Sequence, residues 1–304
     1  MSSDRKVVLI IRKSRYEELI EQYNTESQAA FVIESRGDSF DDYRNEHMCY
    51  HTAISNVSKV LRTRCRLQTI DRLFLPNFIF GRDDVVVVIG QDGLVANTLK
   101  YLQGQSVIAI NPEPDRYDGM LLPFTVEDTK AVLTDVLSDR CDNKVITMAE
   151  ANLNDGQRLL AVNDLFVGPK FQTSARYELS FEGKAEMQSS SGVIISTGLG
   201  STGWLKSIFT GAQSMLQTSD NTSIAFDWEA NFLRYVVREP FPSKVTGTSL
   251  TYGDISDKKR LVLSSKMGEG GIIFSDGMLD DYLDFNSGTI ATIKTAKEQG
   301  NLVC

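Results

Sequence analysis

Three stretches of this 304-residue chain set residue types that can do chemistry at telling spacings. The first is Gly90-Gln91-Asp92-Gly93, which directly follows the apolar run at 85–89. A strand buried on both faces belongs to a parallel sheet, and ligands bind outside the carboxyl ends of such strands. Glycine at 90 and 93 permits backbone conformations and close approaches that a Cβ blocks. The N–H groups of such a turn, beside a helix N-terminus, cradle phosphate. Asp92 at that edge could take the proton of a hydroxyl. The same four residues also make an ordinary tight strand-to-helix turn with an aspartate N-cap, and the turn alone does not choose.

The second stretch, SSGVIISTGLGSTGW (190–204), holds Gly198, Gly200 and Gly203 in G-x-G-x-x-G spacing. Asp220 follows at about the distance of a ribose-binding acid, as in a dinucleotide-binding βαβ unit. The surrounding period-two pattern instead suggests antiparallel strands, and the Ser201 and Thr202 hydroxyls have no part in that fingerprint; a turn without ligand also stays open. The third stretch, AVNDLFVG (161–168), sets Asn163 and Asp164 inside an apolar run. Burying them unpaired costs about 2 kcal/mol or more, so they need partners. A ligand with hydroxyls or an exocyclic amine could supply them, and so could a neighbouring turn. His47 and His51 stand one helical turn apart. Without an H-E-x-x-H signature they read as solvated helix residues, and no metal site is expected.

The elements that must position these residues are legible in outline. KVVLII (6–11), DVVVVI and SVIAI (106–110) read as buried strands. Between them, SRYEELIEQY opens with a Ser14/Glu17 capping box, YHTAISNVSKVL carries a helical stripe, and Val95, Leu99 and Leu102 make another. This alternation predicts a parallel α/β domain. Past 125–154 the pattern becomes period two. In SARYELSFE, Ala175, Tyr177, Leu179 and Phe181 face one way, and GVIIST, FLRYVV, RLVLSS, GIIF and GTIATIKTA continue the short-strand theme. The second half is therefore expected to be a β-sandwich or a folded-over sheet.

The net charge of −8 and pI of about 5.0 argue against a nucleic-acid binder, which needs a Lys/Arg footprint. Four scattered cysteines predict no disulfide framework and a reducing compartment. No apolar run reaches membrane-spanning length and the N-terminus resembles no targeting segment, so a cytoplasmic protein with no membrane partner is expected.

Taken in order, the G-x-D-G turn, the Asn plus carboxylate and the G-[VI]-x-x-S-T…G-S-T block resemble the NAD kinase superfamily over most of the chain. The closer resemblance is to its divergent mitochondrial-type branch. It is carried by KSRYEELIEQYNT, NPEPDRYDGMLLP (111–123), VNDLFVG…SARYELS, SSGVIISTGLGSTGW, VREP (237–240) and DFNSGTIATIKTAKE. This resemblance implies a Rossmann-like α/β domain over 1–137 and a β-sandwich domain over 138–285, with 286–304 packing back on the first. It implies transfer of the γ-phosphoryl of ATP, or of polyphosphate, to the 2′-hydroxyl of the NAD adenosine ribose, with Mg²⁺ bridging the nucleotide phosphates, in a homodimer or a pair of dimers.

By the same resemblance Asp92 is the base and Gly90, Gln91 and Gly93 form the phosphate turn. Asn163 and Asp164 match an Asn-Glu pair that holds the adenosine. Ser201 and Thr202 match hydroxyls of the G-S-T turn, to which Gly198 and Gly200 give close approach. Asn111, Ser191, Gly203 and Trp204 complete the nucleotide site. Lys13 and Arg15 either neutralise phosphates or form a solvated helix edge. Gln91, Leu94, Asp164, Ser191 and Gly203-Trp204 depart from the majority pattern, where Gly, Thr, Glu, an acid and Ala-Tyr are usual. These departures bear most on substrate choice. The same scaffold acting on another hydroxyl, or serving as a nucleotide-binding regulator, is the alternative.

Overall fold

The computed structural model describes residues 5–217 and 224–304. The chain divides into two compact units: one runs up to Lys144 and takes in Asn301–Cys304, and the other is Val145–Gly300. These limits compare with the expected 137/138 and about 286. Among the described residues no helix is long and apolar enough to cross a membrane.

The first unit is built on β1 (Lys6–Ile11), β2 (Arg66–Asp71), β3 (Val85–Ile89), β4 (Ser106–Asn111) and the short β5 (Phe124–Thr125). All pair in parallel in the order β2-β1-β3-β4, with β5 beside the end of β4. Asn301 and Leu302, near the C-terminus, pair in parallel with Ser106 and Val107 on β4. Every residue of β3 is buried, as a central parallel strand covered on both faces requires.

α1 (Arg15–Tyr23), α2 (Glu26–Ser35) and α3 (Phe40–Arg62) lie between β1 and β2, α4 (Asp92–Leu99) lies between β3 and β4, and α5 (Thr129–Leu137) follows β5. Val7, Leu9, Val87, Ile89, Ile108 and Ile110 on one sheet face share a core with Ala53, Val57 and Leu61 of α3 and Val132, Leu133 and Val136 of α5. The capping box at Ser14 is present in full, with both reciprocal bonds made. α2 has no counterpart in the sequence reading; its Ala29 and Ile33 pack with Phe40 against Tyr16, Leu19 and Tyr23.

The second unit is a β-sandwich. One sheet runs β10 (Lys184–Ser190), β9 (Ala175–Phe181), β14 (Leu261–Ser265), β17 (Ile290–Val303), with β6 (Asn143–Leu153) and β7 (Arg158–Ala161) joined to β17. The other runs β13 (Tyr252–Ile255), β12 (Leu233–Val237), β11 (Val193–Ser196), β8 (Asp164–Pro169), β15 (Gly271–Ser275), β16 (Met278–Asp284), antiparallel throughout. α6 (Trp204–Leu216) follows β11. Tyr177, Leu179, Leu263 and Ile293 from the first sheet meet Leu165, Val167, Ile195, Tyr235 and Ile273 from the second in one buried cluster. The expected alternation in β9 holds: positions 175, 177, 179 and 181 are buried and those between them are not.

Leu263 is fully buried between these faces. Leu263→Ala therefore leaves a cavity and is expected to cost about 2–5 kcal/mol, read as a lower urea midpoint with an unchanged slope.

Candidate functional site

In the first unit the strand order reverses between β1 and β3, because the chain leaves β1 toward β2 on one side and returns to β3 on the other. Such a reversal opens a crevice at the carboxyl ends, where diverging connections leave backbone groups uncovered. Tyr50 of α3 fastens it. Its hydroxyl accepts the Arg12 N–H at 3.0 Å and donates to the Ile89 carbonyl at 3.1 Å. Burial pushes this phenol up to about 12, so it stays protonated and keeps its donor.

The Gly90–Gly93 turn leaves from that point. Gly90 lies at φ +156, where its missing Cβ would sit 3.0 Å from the Leu94 side chain. Gly93 is different: it is exposed, with nothing within 4 Å of a Cβ, so packing within the chain does not require it. Gln91, not Asp92, is the N-cap of α4, and it makes no side-chain capping bond. Asp92 is half-buried at the first helical position, and its Oδ1 accepts the Leu121 N–H at 2.8 Å.

Leu121 belongs to the loop that Asn111 organises. The Asn111 amide donates to the Tyr117 carbonyl at 2.9 Å, and its Oδ1 accepts the Glu113 N–H at 3.0 Å. Asn111 is 4% exposed, so it holds the loop that orients Asp92 and is not presented to a ligand as expected.

A buried carboxylate sets the charge of the crevice. Glu46, 4% exposed on α3, meets Arg12 at 3.8 Å, Arg116 at 3.7 Å and the Arg15 Nε at 2.7 Å. Arg116 also faces Glu113 at 4.0 Å, which leaves three guanidiniums against two carboxylates. The buried Arg12 Nε has no hydrogen-bond partner. Arg12, Glu46, Tyr50, Gly90, Gln91 and Tyr117 line the crevice together. Of the two expected cations, Arg15 belongs to this cluster. Lys13 is instead paired with Glu21 at 2.7 Å on the surface. Arg12 and Arg116 escaped the sequence reading, although Arg116 lies within the 111–123 motif.

In the second unit the other two stretches meet. Thr197, at the end of β11, donates its N–H to the Asn163 carbonyl at 2.9 Å and its hydroxyl to the Val162 carbonyl at 2.6 Å. The Asp276 carboxylate accepts the N–H groups of Val162, Asn163 and Asp164 at 3.1, 2.6 and 3.3 Å. Thus neighbouring turns do satisfy this backbone, through Thr197 of the S-T block and through Asp276, which the sequence reading did not single out.

The glycine turn is tied down by its own chain. A Cβ on Gly198 would sit 1.9 Å from the Asp227 carbonyl oxygen, and one on Gly200 2.2 Å from that of Asn163. Both glycines serve internal backbone contacts, so the expected close approach to a ligand is not what requires them. Ser201 is likewise committed: fully buried, it donates to the Gly198 carbonyl at 2.6 Å and accepts the Phe226 N–H at 3.2 Å. Thr202 and Gly203 are exposed. Trp204 stacks on Phe166 with centroids 5.8 Å apart, and Arg238 lies 5.4 Å from its ring centre. β11 is antiparallel to both neighbours, so the G-x-G-x-x-G spacing here is not a βαβ fingerprint. Asp220 lies outside the described residues.

Asp164 carries the unresolved polarity. Its Oδ1 is buried without a hydrogen-bond partner. Desolvation above all, with the nearby Asp276 charge adding to it and a Ser196 bond opposing it, pushes this carboxyl up to about 7. Ser191 is not part of the group. It precedes β11 whereas Thr197 follows it, a separation of roughly 20 Å along an extended strand. It lines an open cavity of ≈ 890 Å³ with Ser174, Arg176, Glu239 and Lys266.

This architecture, a mixed α/β sheet with a second antiparallel sheet, is the two-domain fold of the NAD kinases. The chain is similar to yeast NADH kinase complexed with NADH, with a TM-score of 0.61 and 16% identity over 99% of this chain and 84% of that one. It is also similar to an NAD kinase from Archaeoglobus fulgidus in complex with ATP, with a TM-score of 0.59 and 16% identity over 99% and 93%. No family model and no curated protein matches the chain.

The raised Asp164 carboxyl has a thermodynamic sign. The folded protein holds that proton more tightly than the unfolded chain, so its contribution is fully present below about pH 4 and lost as pH rises through about 7. Asp164→Asn removes the titration. The variant is expected to gain stability relative to the parent between about pH 4 and pH 8, on the order of 4 kcal/mol at most. Urea unfolding at both ends of that window checks it; a constant difference overturns it.

Proposed function

We propose that the chain is an NAD kinase, transferring the γ-phosphoryl of ATP to the 2′-hydroxyl of the NAD adenosine ribose and releasing NADP and ADP. The observation that carries this reading is Asp92, oriented by the Leu121 N–H at the carboxyl edge of the parallel sheet. The first unit also gathers Arg12, Arg15 and Arg116 around Glu46, with Arg12 and Glu46 lining the crevice beside Gln91. Phosphoryl transfer asks for positioning and charge stabilisation rather than covalent chemistry, and a base, a phosphate turn and excess guanidinium charge supply those parts. The fold likeness adds that proteins of this plan have been seen with NADH and with ATP.

In this reading the Asp92 carboxylate takes the 2′-hydroxyl proton as that oxygen bonds to the γ-phosphorus, and the bond from phosphorus to the ADP oxygen breaks. Arg12, Arg15 and Arg116 offset phosphate charge. Gly93 leaves space at the turn, and the Gly90 and Gln91 backbone contributes to the cradle. Mg²⁺ would come with ATP as part of the substrate and would offset phosphate charge. Asn163, Asp164, Thr202 and Gly203 hold the NAD adenosine, and a ligand N–H or O–H satisfies the orphaned Asp164 oxygen. Membership of the mitochondrial-type branch and a homo-oligomeric state belong to the same proposal.

Purified protein, NAD, ATP and Mg²⁺, with product detected by an NADP-specific dehydrogenase, test the reaction. Asp92→Asn keeps an oxygen that can accept the Leu121 N–H, so the variant is expected to fold normally and to lose at least about 100-fold in kcat. Equal rates in parent and variant remove Asp92 from the role of base. If NADP never forms while NAD still raises the melting temperature, the fold binds the dinucleotide without this reaction, and the acceptor or a regulatory role has to be sought.

A further inference from the structure

His47 and His51, expected as solvated helix residues, are not isolated. Both rise from α3 toward α1, where Glu17 meets them. One potential ligand atom from each of Glu17, His47 and His51 lies within 4.8 Å of the others. The Glu17 Oε1 is 3.4 Å from the His51 Nε2, close to the separation of two oxygen or nitrogen ligands on one transition-metal ion.

The capping box prepares this arrangement. Glu17 uses Oε2 to accept the Ser14 N–H at 2.8 Å and the Ser14 hydroxyl at 3.1 Å, which fixes the carboxylate and turns Oε1 toward His51. With the Ser14 proton directed at Glu17, the Ser14 oxygen accepts from the His47 Nδ1–H at 2.8 Å. In the tautomer that makes this bond, Nε2 is the lone-pair nitrogen of His47. A ligating histidine whose second nitrogen is held by an oxygen partner is the usual outer arrangement of a metal centre. Tyr16 packs on the His47 ring at 4.7 Å, and the two imidazoles stand 4.3 Å apart. Lys13 does not compete for Glu17, because it is engaged with Glu21.

We infer that Glu17, His47 and His51 form a binding site for a borderline transition-metal ion, with Zn²⁺ as the fitting occupant. Two imidazoles and one carboxylate suit Zn²⁺ and leave a position for water, whereas Mg²⁺ prefers oxygen ligands alone. The site is therefore separate from the Mg²⁺ that accompanies ATP, and it does not depend on the proposed kinase reaction. It joins α1 to α3 one residue from Tyr50, whose hydroxyl fastens β1 to β3. Metal binding braces the helices that cover the crevice.

The test is titration of untagged full-length protein with Zn²⁺ by calorimetry, and with Co²⁺ by visible absorption. One ion per chain is expected, with a higher melting temperature. His51→Ala removes a half-exposed ligand, and His47→Gln keeps a polar side chain at the second; each is expected to weaken binding at least about ten-fold. Cys49→Ser, which removes the exposed thiol on the same helix, is expected to change nothing. The inference is overturned by the absence of one-to-one binding, by affinity that both histidine variants retain, or by a near-ultraviolet thiolate band that Cys49→Ser abolishes.

Discussion

Reversal of strand order leaves a backbone problem that one hydroxyl solves. Where β1 and β3 part company, the Arg12 N–H and the Ile89 carbonyl lose the ladder that satisfied their neighbours, at a depth where an unpaired group costs about 1–3 kcal/mol. Tyr50 takes both. A phenol is fitted to this because it accepts and donates at one atom, and burial reinforces the donor by holding it protonated. The aromatic body meanwhile belongs to the core formed by β1, β3 and α3. Everything near the crevice follows from this fixed point. The Gly90 turn leaves from it, Glu46 lies one helical turn earlier on α3, and His51 is the next residue along.

The charge pattern of the first unit depends on the same helix. A carboxylate as buried as Glu46 persists only with cations around it, and three arginines converge on it from the residue after β1, from α1 and from the 112–123 loop. Their convergence leaves positive charge in excess and one guanidinium nitrogen without a partner. The second unit shows the opposite sign of the same constraint. Asp276 is used up by three backbone N–H groups, while Asp164, next to them, keeps an oxygen with no donor. Each unmatched group costs the folded chain stability.

Local pattern carried much of the architecture. The parallel strands, the Ser14 capping box and the alternation in β9 are properties of contiguous residues, and the two-domain plan follows from where period 3.6 gives way to period two. The residues that organise the site were less legible, because their partners are remote. Asp276 acts on residues more than a hundred positions away, Glu46 on Arg12, Arg15 and Arg116, and Leu121 on Asp92. α2 was missed because its apolar residues form a short patch against α1 rather than a stripe. Asp92 shows the limit within a motif: the turn was visible, but whether its carboxylate capped the helix or faced the loop depended on Asn111 holding Leu121 in place.

The glycines separate what the fold needs from what it leaves available. Gly198 and Gly200 abut carbonyl oxygens of the chain, so any side chain there collides with the protein itself, and their spacing reports packing. Gly90 is fixed by its backbone conformation and by Leu94. Gly93 answers to neither constraint: it is exposed, and the space its Cβ would fill holds no atom of the chain. It stands next to Asp92 in the first turn of α4, where a larger residue fits without internal conflict, so packing within the chain does not account for glycine there. The motif alone could not make this distinction, since its glycines look alike in sequence and differ only in what surrounds them.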